Sequence, residues 1–164
     1  NNFITYCDDI FDDKLKEFKF KSYSAKTYFD GKILKNGNRA LFYEPLEAFM
    51  GYFYERILKF FLDYIYVNKN IHETNNSIHE IANDIELAIC FVYQGGSIYN
   101  TPFWDYAKKI SYDRLNNDSR WYQHINQIKM IKKENYHHMR HHGVGAFPVK
   151  SWVDFDKNFN YNLF

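Results

Sequence analysis

Between Leu46 and Tyr64 apolar side chains return every three or four residues: Leu46, Phe49, Met50, Phe53, Ile57, Phe60 and Tyr64. Only a helix gathers such a set on one side. Pro45 suits its first position, where a missing N–H costs nothing, and the helix is expected to run to about Val67. Glu55 and Lys59 form an i,i+4 pair away from the stripe. The breadth of apolar residues predicts burial on more than one side. The charges of Glu55, Arg56, Lys59 and Asp63 argue against a membrane span.

The rest of the chain falls into place around this helix. Asp8 or Asp9 can cap a short helix carrying Phe11, Leu15 and Phe18. Asp30-Gly31, flanked by apolar residues, is a tight-turn signal, and Asn36-Gly37-Asn38 is a second. Residues 21–39 are therefore a turn-rich connection or a small hairpin near 26–36. Asn68 to Asn76 reads as a polar connection. Ser77-Ile78-His79-Glu80 has the form of a capping box, and Ile78, Ile81, Ile85, Ala88, Ile89 and Val92 form the stripe behind it. Gly95-Gly96 stops that helix. Thr101-Pro102 starts another, with Phe103, Tyr106, Ala107 and Ile110 as its apolar side. Asn116 to Ser119 breaks the chain, and a last long helix is expected from about Arg120 to His141.

These signals predict a mainly α fold, an antiparallel bundle of four to five helices within residues 1–143. After Gly143 the regular period is lost. Residues 144–164 read as an extended aromatic tail whose Phe147, Trp152, Phe155, Phe159, Tyr161 and Phe164 need a surface. That surface is either the bundle itself or a partner protein.

Composition narrows the function classes. Aromatic residues make up 21% of the 164 residues, so rings are available for a groove or an interface as well as for a core. A formal charge of +1 gives no global attraction for nucleic acid or anionic membrane. Cys7 and Cys90 match no metal or redox spacing and read as thiols in a reducing compartment. With no apolar run of spanning length, the expected location is intracellular.

The densest chemistry lies in KMIKKENYHHMRHHGVGAFP, Lys129 to Pro148. On the last helix Trp121, His124, Ile128, Ile131, Asn135, His138 and His142 share one stripe. Gln127, Met130, Glu134, His137 and His141 share its neighbour. His137/His141 and His138/His142 each place two imidazoles on one face, a spacing that can hold zinc or another borderline metal. Glu134 with His137 makes the Glu-x-x-His pair used at iron sites in helical bundles. Further ligands would come from His72, His79, Glu80 or Glu47. Alternatively, His and Arg at a helix end complement its partial negative charge. His138 to His142 also resembles a histidine box of the integral-membrane desaturases and hydroxylases. Those enzymes carry several boxes between membrane spans, which this chain lacks, and a second Glu-x-x-His is absent too.

Gly143-Val144-Gly145 follows a helix and does not open one, so it is not a phosphate loop. No complete catalytic set is present. The leading expectation is a non-enzymatic helical protein that binds another protein, as a small subunit of a larger assembly. The alternatives are a metal-binding helical protein, or metalloenzyme, built on His137, His138, His141 and His142, and a neutralising partner of a toxin. The last rests on Glu86 to Ser97, ELAICFVYQGGS, which resembles helical immunity proteins.

Overall fold

A computed structural model describes residues 22–43, 49–97, 101–134 and 142–164. The architecture is mainly helical, with two small two-stranded sheets. The five helices among the described residues are α1 (Phe49–Tyr66), α2 (Ile71–Gly95), α3 (Pro102–Asn116), α4 (Ser119–Glu134) and α5 (Val149–Phe159). Strands β1 (Tyr23–Ser24) and β2 (Leu41–Phe42) pair antiparallel, as do β3 (Gly143–Val144) and β4 (Phe147–Pro148). The helix expected around Phe11 and the residues at the start of α1, Glu47 included, lie outside the described residues.

The expected turn at Asp30-Gly31 is present. The Asp30 carboxylate accepts hydrogen bonds from the Lys32 and Ile33 amides at 2.9 and 2.8 Å, and Phe29 bridges Leu34. Asn75 on α2 holds this loop down. Its side-chain oxygen accepts from the Tyr28 and Phe29 amides at 2.9 and 3.0 Å, and its amide donates to the Phe29 carbonyl at 2.8 Å. One side chain thus replaces the ladder that a lone hairpin lacks.

Helix α2 is the centre of the bundle, packing most extensively on α3 and α1. It begins earlier than Ser77. Asn70 and Glu73 form the capping box, each side chain accepting the other's amide at 2.9 and 3.2 Å. This pair satisfies the free N–H groups two turns upstream, so most of the stretch read as a connection is helical. The helix is also buried on two sides. Ile78, Ala82 and Ile85 follow the expected stripe, while Asp84, Leu87 and Phe91 form a second buried row at i, i+3 and i+7.

The C-terminal segment is not extended. Val149, Trp152 and Asp156 recur at helical spacing and are buried on α5. The preceding Pro148 sits at the N-cap with φ −57° and ψ 145°, where the missing N–H leaves no gap in the helical ladder. The polar residues between the rings lie on the outer face and mask the period. Trp152 is fully buried, its indole N–H donating to the Val144 carbonyl at 2.8 Å. Its ring meets Phe91, Phe147 and Trp121 at centroid distances of 5.0, 5.0 and 5.6 Å. Beyond α5 the chain folds back. The Asp156 carboxylate accepts the Leu163 and Phe164 amides, and the Tyr161 hydroxyl donates to the Phe91 carbonyl at 3.0 Å. Residues 144–164 therefore share the core of the bundle.

Candidate functional site

The strongest concentration of charge in the described interior lies where α2, the end of α3 and the start of α4 meet. Glu80 and Asp84 are one turn apart on α2, and Arg120 and His124 are one turn apart on α4. Asp84 and His124 are only 3% and 4% exposed. The Arg120 guanidinium forks onto the Asp84 carboxylate, with Nη2 to Oδ2 at 2.9 Å and Nε to Oδ1. His124 Nε2 lies 3.2 Å from Asp84 Oδ1. Glu80 stands 3.9 Å from Arg120 at the outer edge.

A second fork continues the cluster. Arg114 on α3 reaches Glu86 Oε1 and Oε2 at 3.1 and 3.2 Å, and also contacts Asn83 and Asp118. Asp118 in turn accepts the Arg120 amide at 2.8 Å, tying the start of α4 to the same network.

The electrostatics follow from these contacts. Burial pushes the Asp84 carboxyl up, but hydrogen bonds from Arg120 and His124 outweigh it and hold the group below the usual carboxylate range. The same balance, with Arg114 and the Arg120 amide as donors, lowers Asp118. The bond to Asp84 raises Arg120. Carboxylates and guanidiniums are thus held charged, and every charge in this cluster is matched.

One atom of the cluster is left over. His124 Nδ1 is buried without a hydrogen-bond partner. It is sealed by the β3–β4 turn at Gly145, where φ is +58° and an added Cβ would sit 2.7 Å from His124 Cε1 and 3.2 Å from Nδ1. A carboxylate–imidazole pair can orient a general base, yet a base must come within about 3 Å of the proton it removes. Here the turn occupies that space. The cluster's chemistry is to fix how α4 and the β3–β4 hairpin sit on α2.

The sequence placed His124 on the core stripe with Trp121 and Ile128, and all three are buried. It did not single out Asp84, Arg120, Arg114 or Glu86. The available signal was the matched i,i+4 spacing of Glu80/Asp84 and Arg120/His124, with Asp84 set among apolar neighbours.

The residues singled out for metal binding are placed as follows. His137, His138 and His141 lie outside the described residues. Glu134 is the last residue of α4. His142 is exposed just before β3, its carbonyl accepting from the Val149 amide at 2.9 Å. His72 and His79 line a cavity of about 330 Å³ between the Asp30 turn and α2, with Lys26 and Asn76. His79 Nε2 lies 3.2 Å from the Lys26 carbonyl, and its ring meets Tyr28 edge-on. Glu80 is engaged with Arg120. Among the described residues no group of three or more His, Cys, Asp or Glu is placed to hold a metal ion. Cys90 is half-buried, and burial pushes its thiol up to about 11, away from nucleophilic use.

The aromatic tail divides. Phe147 and Trp152, expected to meet a partner, are buried in the chain's own core, while Phe155, Phe159, Tyr161 and Phe164 are half-buried against it. Exposed apolar surface lies elsewhere. On α1 Leu58, Leu62 and Ile65 form a row facing outward, with Tyr66 and Val67 at its end. On α3 Phe103, Tyr106 and Ile110, expected to face the core, also face outward. Ser111 and Leu115 are the buried side of that helix, with Trp104 stacked on Tyr93 at 5.6 Å. The Arg114 fork and the Tyr93–Trp104 stack set this rotation.

No protein-family model matches the chain, and no curated protein or solved structure is detectably similar to it. No described helix is long and apolar enough to cross a membrane.

Proposed function

We propose that the chain is a helical protein-binding module whose contact surface is the outward row of α1. The observation that carries this reading is the spacing of Leu58, Leu62 and Ile65 on one exposed face, each about half accessible, continued by Tyr66 and Val67. Single exposed apolar residues are ordinary, but a contiguous row on a helix is the usual form of a helix-in-groove or helix-on-helix contact. Gly51, one to two turns upstream, is exposed with open space around it, so a partner's backbone can approach closely there. The interior polar cluster, by contrast, is matched charge for charge and sealed, which suits a rigid scaffold.

The test is photo-crosslinking in cells that naturally make the chain, with a benzophenone side chain at position 62 and a control at the exposed position 123. A discrete adduct with another protein at 62 and none at 123 is expected. A Leu58→Asp, Leu62→Asp variant should lose co-purification of that protein while its stability changes by no more than about 0.5 kcal/mol per site. If the doubly substituted chain unfolds, the row is an internal surface and the reading fails. It fails equally if the same protein is still retained.

A further inference from the structure

Helix α3 carries a different pattern from α1, and it specifies its own occupant. Phe103, Tyr106 and Ile110 form an exposed row, Tyr106 being 65% accessible. Asp105 and Lys109 flank that row on one side, both exposed. Lys109 donates to its own Asp113 at 2.8 Å, and Asp105 makes no ion pair among the described residues.

When two copies of one helix pack antiparallel about a two-fold axis, each flank meets the same flank of the other copy. The midpoint of Phe103 and Ile110 lies between Tyr106 and Ala107. The midpoint of Asp105 and Lys109 is Ala107. The apolar row and the charge pair therefore share one centre. An axis beside it sets Phe103 near Ile110 of the second copy, Tyr106 near Tyr106, and Asp105 opposite Lys109 in both directions. Half-buried Ala107 is the small residue at the crossing point, where the backbones come closest.

The α1 row fails the same check. The midpoint of Glu55 and Lys59 is Ile57, while that of Leu58 and Ile65 falls between Phe61 and Leu62, more than a turn away. Its charges and apolar residues cannot be matched by one two-fold axis.

We infer that α3 is an isologous contact through which two copies of this chain associate. A single helix face falls below the roughly 800 Å² per partner of a standard interface, so the dimer is weak and concentration-dependent. This surface is separate from the α1 row, and its failure leaves that reading intact.

The experiment uses the full chain in sedimentation velocity over about 5–500 µM, a span that covers weak association. Wild type is expected to shift from monomer to dimer across it. Asp105→Lys sets lysine against lysine twice, and Lys109→Asp sets aspartate against aspartate twice. Each alone should raise the dimer Kd by at least about tenfold. In an equimolar mixture of the two single variants, one chain carries lysine at both positions and the other carries aspartate at both. Opposite charges then face each other twice, and the mixture should recover dimer at wild-type concentrations or below. A defect confined to folding would not be repaired by mixing. Wild type remaining monomeric throughout overturns the inference, as does a dimer indifferent to both single variants or variants that do not recover on mixing.

Discussion

Replacing Arg120 by Met tests the interior cluster most sharply, because its two partners differ in access to water. The Asp84 side chain is 4% exposed and that of Arg120 is 31% exposed. Arg120→Met strands a buried carboxylate with only His124 beside it. Asp84→Leu strands a guanidinium that can turn outward and already has Glu80 at 3.9 Å. Removing one member of a buried ion pair costs about 3–5 kcal/mol, and a group with a route to water costs nearer 1–3 kcal/mol. For a chain of this length 1 kcal/mol moves Tm by roughly 2–4 °C. Arg120→Met should therefore lower Tm by about 6–20 °C at pH 7, and Asp84→Leu by clearly less.

The loss should also depend on pH. In the native chain Asp84 is depressed, so its contribution is present above the unfolded carboxyl value of about 3.9 and is lost as pH falls through the lower folded value. Without Arg120, burial dominates and the folded value rises above the unfolded one. The variant then loses stability as pH rises through that interval. The Tm gap between wild type and Arg120→Met should accordingly be smaller at pH 4 than at pH 7, read by circular dichroism at 222 nm. Equal costs for the two variants, or a gap independent of pH, would refute the assignment of Asp84 as a buried, charge-paired anion.

Three further outcomes are expected. Gly145→Ala should destabilise by at least about 1–2 kcal/mol in urea unfolding, since the left-handed turn resists a side chain and the new Cβ would press on His124; an unchanged midpoint would mean the turn does not cover the imidazole. Trp152→Phe removes the donor to the Val144 carbonyl and leaves a void, for a loss of roughly 2–4 kcal/mol, and a chain ended at Pro148 should give no cooperative unfolding transition at all. Alkylation of Cys90 by iodoacetamide at pH 8 should run on the order of 100-fold slower than for a free thiol, because burial raises its pKa to about 11; a rate near the free value would place that thiol in a different setting.

What the sequence carries and what it conceals both turn on the neighbours a helix has. Wherever one face was buried and one solvated, the period was legible: Phe49, Phe53 and Ile57 on α1, and Trp121, His124 and Ile128 on α4, are buried as their spacing requires. Glycine and proline punctuation was legible too, since the stop at Gly96 and the start at Thr101-Pro102 depend on local backbone chemistry alone.

The failures share a different cause. A helix buried on two sides has no polar face to set its phase, so one stripe on α2 hid the second row of Asp84, Leu87 and Phe91. That row is where Arg120 and Trp152 find their partners, Arg120 binding Asp84 and Trp152 packing on Phe91. Missing it made the rings after Gly143 look surplus and turned a buried C-terminal helix into an extended tail. The same omission hid the rotation of α3, because Arg114 reaches inward to Glu86 and Asn83 on α2. With Arg114 directed inward, Phe103, Tyr106 and Ile110 are left outside. In this chain the interior ion pairs decide which apolar residues are surplus to the core, and so which surfaces are available for contact.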